Sequence, residues 1–237
     1  MKKTAARRNG LRNLVLNRLP ETEIRRLRKA ASNEEANARH VLYDVNEPIE
    51  RVYFPEDGVG SIVTILGDGR QVEVATVGYE GMIGLPVFFG AKKSTAKAFW
   101  QVPGRALVFK ASMLQKEKKN GSRLIERLHL YTQGFFTQLA QSVTCNRVHN
   151  LEQRCARWLL MTHDRVEGDE FLLTQDFLAQ MLGVRRTGVS EVAGRLQKAG
   201  LITYSRGRMT ICDRKGLEKL SCECHHIVQQ EFKRLLE

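Results

Sequence analysis

The sequence predicts an α+β chain in three parts: an N-terminal antiparallel β-roll of jelly-roll-like layout, one long helix, and a C-terminal winged helix-turn-helix. Three observations carry this reading. All five prolines lie at or before Pro103, and nine of the 19 glycines fall between Gly58 and Gly104, so turns crowd one stretch. After Gly121 the apolar residues change from alternation to steps of three and four. From Phe171 onward, two short helical patterns flank a glycine and run into two short strands.

Each element follows from local chemistry. Pro20-Glu-Thr-Glu-Ile-Arg-Arg-Leu27 reads as a short helix with acidic residues at its positive end. Gly60-Ser-Ile-Val-Thr-Ile-Leu66 and Gln71-Val-Glu-Val-Ala-Thr-Val77 alternate apolar and polar residues, and Asp57-Gly58 and Asp68-Gly69 are expected hairpin turns. The β unit is expected from about residue 40 to 110. Leu124, Leu128, Tyr131, Phe135 and Leu139 then form one apolar seam on a long helix. That seam faces either the core of a monomer or the same helix of a second copy, and its length favours the homodimer. A second helix over about Leu151–Val166 places Cys155, Trp158, Leu159 and Thr162 on one face.

Residues 171–212 are the most specific segment. Phe171-Leu-Leu173 is a short strand, Thr174 caps a helix over Gln175–Leu182, and Gly183 ends it in the left-handed conformation. A second helix runs from about Arg186 to Ala199, followed by strands around Ser205-Arg-Gly-Arg208. Ala179 is small where the helices cross, and Leu178, Leu182, Val184, Val189 and Val192 fill the wedge. The expected divisions are a basic flexible tail over 1–16, the β-roll over 17–120, the long helix over 121–147 and the winged helix over 148–237.

Charge points to the partner. The chain has 38 Lys and Arg against 26 Asp and Glu, net +12, in 237 residues. Residues 1–40 hold 11 basic and 4 acidic side chains and residues 171–215 hold 8 and 3, while 41–170 are nearly balanced. A polyanion met at a local face fits this pattern better than general solubility charge. No apolar run approaches the ~20 residues of a membrane span, and the basic start lacks the apolar stretch of a signal peptide. Five cysteines, none before Cys145, form no secreted disulfide framework. A cytoplasmic, non-membrane protein is expected. The chain contains no phosphate-binding glycine loop, no nucleophile elbow and no His-Glu-x-x-His, so no enzyme chemistry is assigned.

The run Thr174-Gln-Asp-Phe-Leu-Ala-Gln-Met-Leu-Gly-Val-Arg-Arg-Thr-Gly-Val-Ser-Glu-Val-Ala-Gly-Arg-Leu196, followed by Gln197-Lys-Ala-Gly-Leu-Ile202, resembles the DNA-binding signature of the Crp/Fnr superfamily of bacterial transcription regulators. Val52-Tyr-Phe-Pro55 and Gly78-Tyr-Glu-Gly-Met-Ile-Gly-Leu85 are similar to that family's β-roll, and the likeness spans about residues 17–237. It implies a cyclic-nucleotide-binding-like sensor, a dimerisation helix and a winged helix on an inverted-repeat operator in double-stranded DNA, with RNA polymerase as a further partner. The same resemblance assigns base reading to Arg186, Thr187, Ser190 and Glu191, and phosphate contacts to Thr174, Arg185, Arg206 and Arg208. Thr187 and Glu191 stand where the family often has Glu and Arg, so the family's usual half-site does not carry over.

The resemblance also marks a degenerate effector pocket at Gly84, Leu85, Ser94 and Thr95. Leu85 replaces the Glu that family members offer to ribose, and Ser94 stands near the Arg offered to a cyclic phosphate, so independence of cyclic AMP is expected. With no Cys in residues 1–144, the family's N-terminal iron–sulfur cluster is excluded, and His40, His129 and His149 read as packing residues rather than haem ligands. No cofactor is expected. Cys222, Cys224, His225 and His226 place four metal-binding side chains in five residues. On a helix Cys222, His225 and His226 share a side and Cys224 points away, so packing is favoured. A metal- or redox-responsive regulator is the alternative.

Overall fold

The computed structural model describes residues 10–237. The chain begins with α1 (Glu21–Arg28), then β1 (Ser32–Ala36), β2 (Val41–Tyr43), β3 (Arg51–Pro55), β4 (Val59–Ile65), β5 (Gln71–Val77), the short α2 (Leu85–Phe88), β6 (Lys97–Val102), β7 (Gly104–Lys110) and α3 (Ser112–Lys119). The long α4 (Arg123–Val148) and α5 (Leu151–Arg165) follow. The C-terminal part comprises β8 (Glu170–Leu172), α6 (Gln175–Leu182), α7 (Arg186–Lys198), β9 (Ile202–Ser205), β10 (Arg208–Ile211), α8 (Arg214–Leu220) and α9 (Glu223–Leu236).

Seven strands make the β-roll in two antiparallel sheets, β1-β7-β3 and β2-β6-β4-β5. Between them lies a core that includes Phe54, Phe88, Trp100, Phe109 and Leu114. Asp68-Gly69 closes the β4–β5 hairpin as expected. Asp57-Gly58 does not form a hairpin: β3 and β4 belong to different sheets, and this turn carries the chain from one to the other. Gly58 is needed there because a Cβ would sit 2.5 Å from the Pro103 carbonyl oxygen.

Residues 1–9 of the expected basic tail lie outside the described residues. Residues 11–16 are not a flexible tail: Leu11, Leu14, Val15 and Leu16 are buried in the β-roll core. Asn13 fastens the segment, its side-chain amide donating to the carbonyls of Pro55 and Gly81. The apolar Leu-x-x-Leu-Val-Leu run has enough surface to dock, and docking overrides its basic flanks.

α4 is about 39 Å long by its 26 residues. Ser122 caps its start, accepting from the Leu124 N–H. A second core joins α5 to the helices and strands that follow, and Val59, Val63, Phe99 and Val102 of the β-roll pack into it. β8, β10 and β9 form the small sheet of the winged helix. No described helix is long and apolar enough to cross a membrane.

Candidate nucleic-acid interface and the sites around it

The interface is built on α6 and α7. The Thr174 side chain accepts from the Phe177 N–H, and Gly183 ends α6 at φ 66°. Val189, Val192, Ala193 and Leu196 turn inward from α7 and are buried. Arg185, Arg186, Thr187 and Glu191 are exposed at its start and outer face. Arg185 occupies the N-cap position without capping through its side chain, which leaves its guanidinium free for solvent or ligand.

Two neighbours were not legible from the motif. Arg186 lies 3.4 Å from Asp176, with side-chain exposures of 65% and 67%. A pair so open to water is weakly held and readily exchanged. Ser190 is half-buried and its hydroxyl donates to Gln175 at 2.5 Å, across to α6.

The wing presents Arg206 and Arg208, both exposed. β9 and β10 are joined by two residues at positive φ, Arg206 at 49° and Gly207 at 77°. This is the geometry of a two-residue hairpin, whose first position ordinarily takes Asn, Asp or Gly. An arginine kept in a conformation that costs it about 1 kcal/mol or more is the kind of local violation found at functional sites. Arg208 donates to Glu170 at 2.7 Å. Thr174 lies beside the turn, and its hydroxyl proton stays free to donate because the cap uses only the oxygen.

Gly84, Leu85 and Ser94 are engaged by the fold itself. Gly84 adopts φ 103°, and a Cβ there would lie 2.9 Å from Val52. Leu85 packs against the β-roll core. The Ser94 carbonyl accepts from the Asn46 N–H and its hydroxyl oxygen from the Ala96 N–H, while Thr95 is exposed. Two surface cavities of about 550 and 760 Å³ are lined by other residues.

Along α4 the predicted seam divides. Leu124, Leu128 and Tyr131 are buried within the monomer, and Phe135 and Leu139 are half-buried. The seam is covered by α9, where Phe232 stacks on Tyr131 at 6.1 Å. Leu124, Leu128 and Tyr131 therefore present no surface to a second copy. The exposed side of α4 carries His129, Gln133, Phe136, Ala140, Val143 and Arg147 at alternating steps of four and three. Phe136 and Val143 are 58% and 72% exposed.

Two charged residues that the sequence reading missed join the β-roll to α5. Arg165 donates to Glu80 Oε1 through Nε at 2.9 Å and Nη2 at 2.8 Å, both side chains buried. A Cβ on Gly78 would collide with the Arg165 side chain. The Gly78-Tyr-Glu-Gly motif is thus the socket for this arginine.

The C-terminal cysteines and histidines separate. Cys222 precedes α9 in extended conformation, so the helical repeat does not relate it to its neighbours. His225 Nε2 lies 2.8 Å from Asp164, and His226 is exposed. Cys222 and Cys224 turn instead toward Cys145 and His149 on α4. The Cys145 and Cys222 sulfurs lie 3.5 Å apart, and a hydrogen bond from Cys145 holds the Cys222 thiol below its ordinary range.

Comparison with known proteins places these features. Residues 153–220 match the family described as Crp-like helix-turn-helix domain. FixK2 from Bradyrhizobium japonicum superposes with a TM-score of 0.68 at 19% identity, over 81% of this chain and 98% of that one. A putative transcriptional regulator of the Crp/Fnr family from Eubacterium rectale gives 0.67 at 17%, over 86% and 95%. A CRP-family transcriptional regulator from Thermus thermophilus gives 0.63 at 21%, over 86% and 98%. No curated protein sequence matches the chain. The chain has the Crp/Fnr-type regulator fold, an antiparallel β-roll, a long helix and a helix-turn-helix unit. Its residues 153–220 are a Crp-like helix-turn-helix domain.

Proposed function

We propose that this chain is a homodimeric, sequence-specific DNA-binding transcription regulator that needs neither cyclic AMP nor cyclic GMP. One observation carries the reading: α7 buries one side in the domain and leaves Arg185, Arg186, Thr187 and Glu191 exposed at its start and outer face. Arg186 is suited to a bidentate contact with guanine, with Thr187 and Glu191 reading beside it. Thr174, Arg185, Arg206 and Arg208 take phosphates and set the register. The dimer forms through Phe136, Ala140 and Val143, whose heptad-like spacing matches a helix meeting its own copy.

Independence of cyclic nucleotides rests on two substitutions at opposite ends of one ligand. Leu85 offers no acceptor to a ribose hydroxyl, and Ser94 brings no charge to a buried phosphate. Selection of genomic fragments on the full-length protein tests the reading. The recovered DNA should share an inverted repeat with half-site centres ~34 Å apart. Fragments without a common motif would overturn it, as would a tenfold gain in operator binding on adding either nucleotide. A second reading, a regulator signalling through its C-terminal cysteines, is favoured by the approach of Cys222 and Cys224 to Cys145 and His149.

A further inference from the structure

The ligand atoms of Cys145, His149, Cys222 and Cys224 all lie within 4.8 Å of one another, and the three cysteines are buried. Cys145 and His149 stand one turn apart at the end of α4, while Cys222 and Cys224 bracket the start of α9. The Cys145 and Cys222 sulfurs are 3.5 Å apart, and Cys224 Sγ is 3.7 Å from His149 Nδ1. A tetrahedral zinc ion with bonds of ~2.3 Å to sulfur and ~2.0 Å to nitrogen would set these edges at about 3.8 and 3.5 Å. Two edges of the cage thus already match a zinc site, and the remaining ones lie within 4.8 Å.

Two surrounding groups fit the same occupant. The His149 ring turns Nδ1 to the cluster and Nε2 toward the Glu223 carboxylate, 3.3 Å away. A carboxylate behind a ligating histidine fixes its tautomer and orientation. Three thiolates around a divalent cation leave one net negative charge. Arg157 is buried beside the cluster, its charge acting on Cys145 and Cys224. Its Nη2 reaches Ser142, its Nε has no hydrogen-bond partner, and no carboxylate pairs with it among the described residues. A disulfide between Cys145 and Cys222 would use two of the four ligands and remove thiolates that Arg157 faces.

We infer that Cys145, His149, Cys222 and Cys224 form a Cys₃His zinc site that pins α9 to the break between α4 and α5. His149 is the C-cap of α4 and Asn150 the N-cap of α5, so the ion sits where the long helix hands over to the winged helix. Coordination sends the thiol protons to the buffer and leaves three thiolates and a neutral imidazole on the ion. All four positions are filled by protein, which makes the site a structural or sensing one rather than a catalytic one. Its effect on operator binding rests on the DNA-binding reading and deepens the second one; its existence does not.

The test uses the full-length chain purified under reducing conditions. Elemental analysis should give one zinc per chain, and cobalt in its place should show a tetrahedral, thiolate-ligated spectrum. Cys145→Ser and Cys224→Ser should lose that spectrum, while Cys212→Ser, at an exposed cysteine outside the cluster, should keep it. Because buried variants can misfold, Glu223→Gln provides a second arm: the carboxylate is exposed, and its loss should weaken zinc about 10–100-fold in chelator competition. A folded protein that takes up no zinc, a Cys145–Cys222 disulfide in its place, or an unchanged affinity in Glu223→Gln would overturn the site. Zinc bound as expected, with operator affinity indifferent to its removal, would overturn only its influence on DNA binding.

Discussion

At the scale of single residues, the consequential contacts are charged groups whose partners come from far along the chain. Arg165 and Glu80 are 85 positions apart, and burial gives neither any solvent to fall back on. Removing one member of such a pair strands the other, which costs about 3–5 kcal/mol. Glu80→Ala should lose that much in urea unfolding, and Glu80→Ala combined with Arg165→Met should regain most of it. The interface arginines separate differently. Arg186→Ala should cost about 1–3 kcal/mol and relax preference at one base per half-site. Arg206→Ala should weaken all DNA alike and reduce the salt slope by about one per subunit. Equal, sequence-independent losses in a binding titration would place the recognition surface elsewhere.

At the scale of elements, α4 serves two neighbours on two faces. Its inner face holds α9 and the β-roll, where Gly134 lets Phe232 approach and Gly81 admits the Tyr131 ring. In the proposed dimer its outer face meets a second copy. Phe136→Glu with Val143→Glu should give monomers in light scattering without loss of thermal stability, since neither side chain is buried. Leu128→Glu should instead unfold the β-roll. The sequence showed that α4 is amphipathic but not which apolar residues face inward, because that depends on α9, more than 80 residues away. The helix-turn-helix was legible for the opposite reason. Thr174, Gly183 and Val189 act within fifteen residues of one another, so spacing alone defines them. Cys145 and His149 carried no local signal, since an i, i+4 pair becomes a ligand pair only when Cys222 and Cys224 arrive opposite.

At the scale of the whole molecule, the β-roll and α5 meet through a polar chain as well as through apolar packing. Trp158 Nε1 donates to Glu73 at 2.7 Å, and the Ser61 hydroxyl lies 2.6 Å from Glu73 and 2.7 Å from Gln101 Oε1. One hydroxyl proton cannot serve two acceptors. A protonated Glu73 resolves this by donating to Ser61, which then donates to Gln101, whose amide donates to Thr162. Burial pushes the Glu73 carboxyl up to about 7, against the pull of Ser61 and Trp158. Between the ordinary carboxylate range and that value, the folded chain holds a proton that the unfolded chain has released. Stability is then greatest below about pH 4.5 from this group and falls as pH rises toward 7. Glu73→Gln should flatten that slope in denaturation curves across the same window; an unchanged slope would show that Glu73 is already ionised.

The return of α9 to α4 changes what kind of part the winged helix is. Residues 150–221 leave the long helix at His149 and come back to it at Cys222, with flanking sulfurs 3.5 Å apart. Val228, Phe232 and Leu236 then complete the core of the β-roll. In the order of the chain the DNA-binding unit looks like an appendage at the end. In space it is an excursion whose two ends meet, inserted into a β-roll whose core is completed by α9. Cutting the chain after α4 would take the closing helix from the β-roll. Removing 150–221 and bridging the gap would keep α9 on that core but strand Glu80, whose partner Arg165 lies in the excised segment.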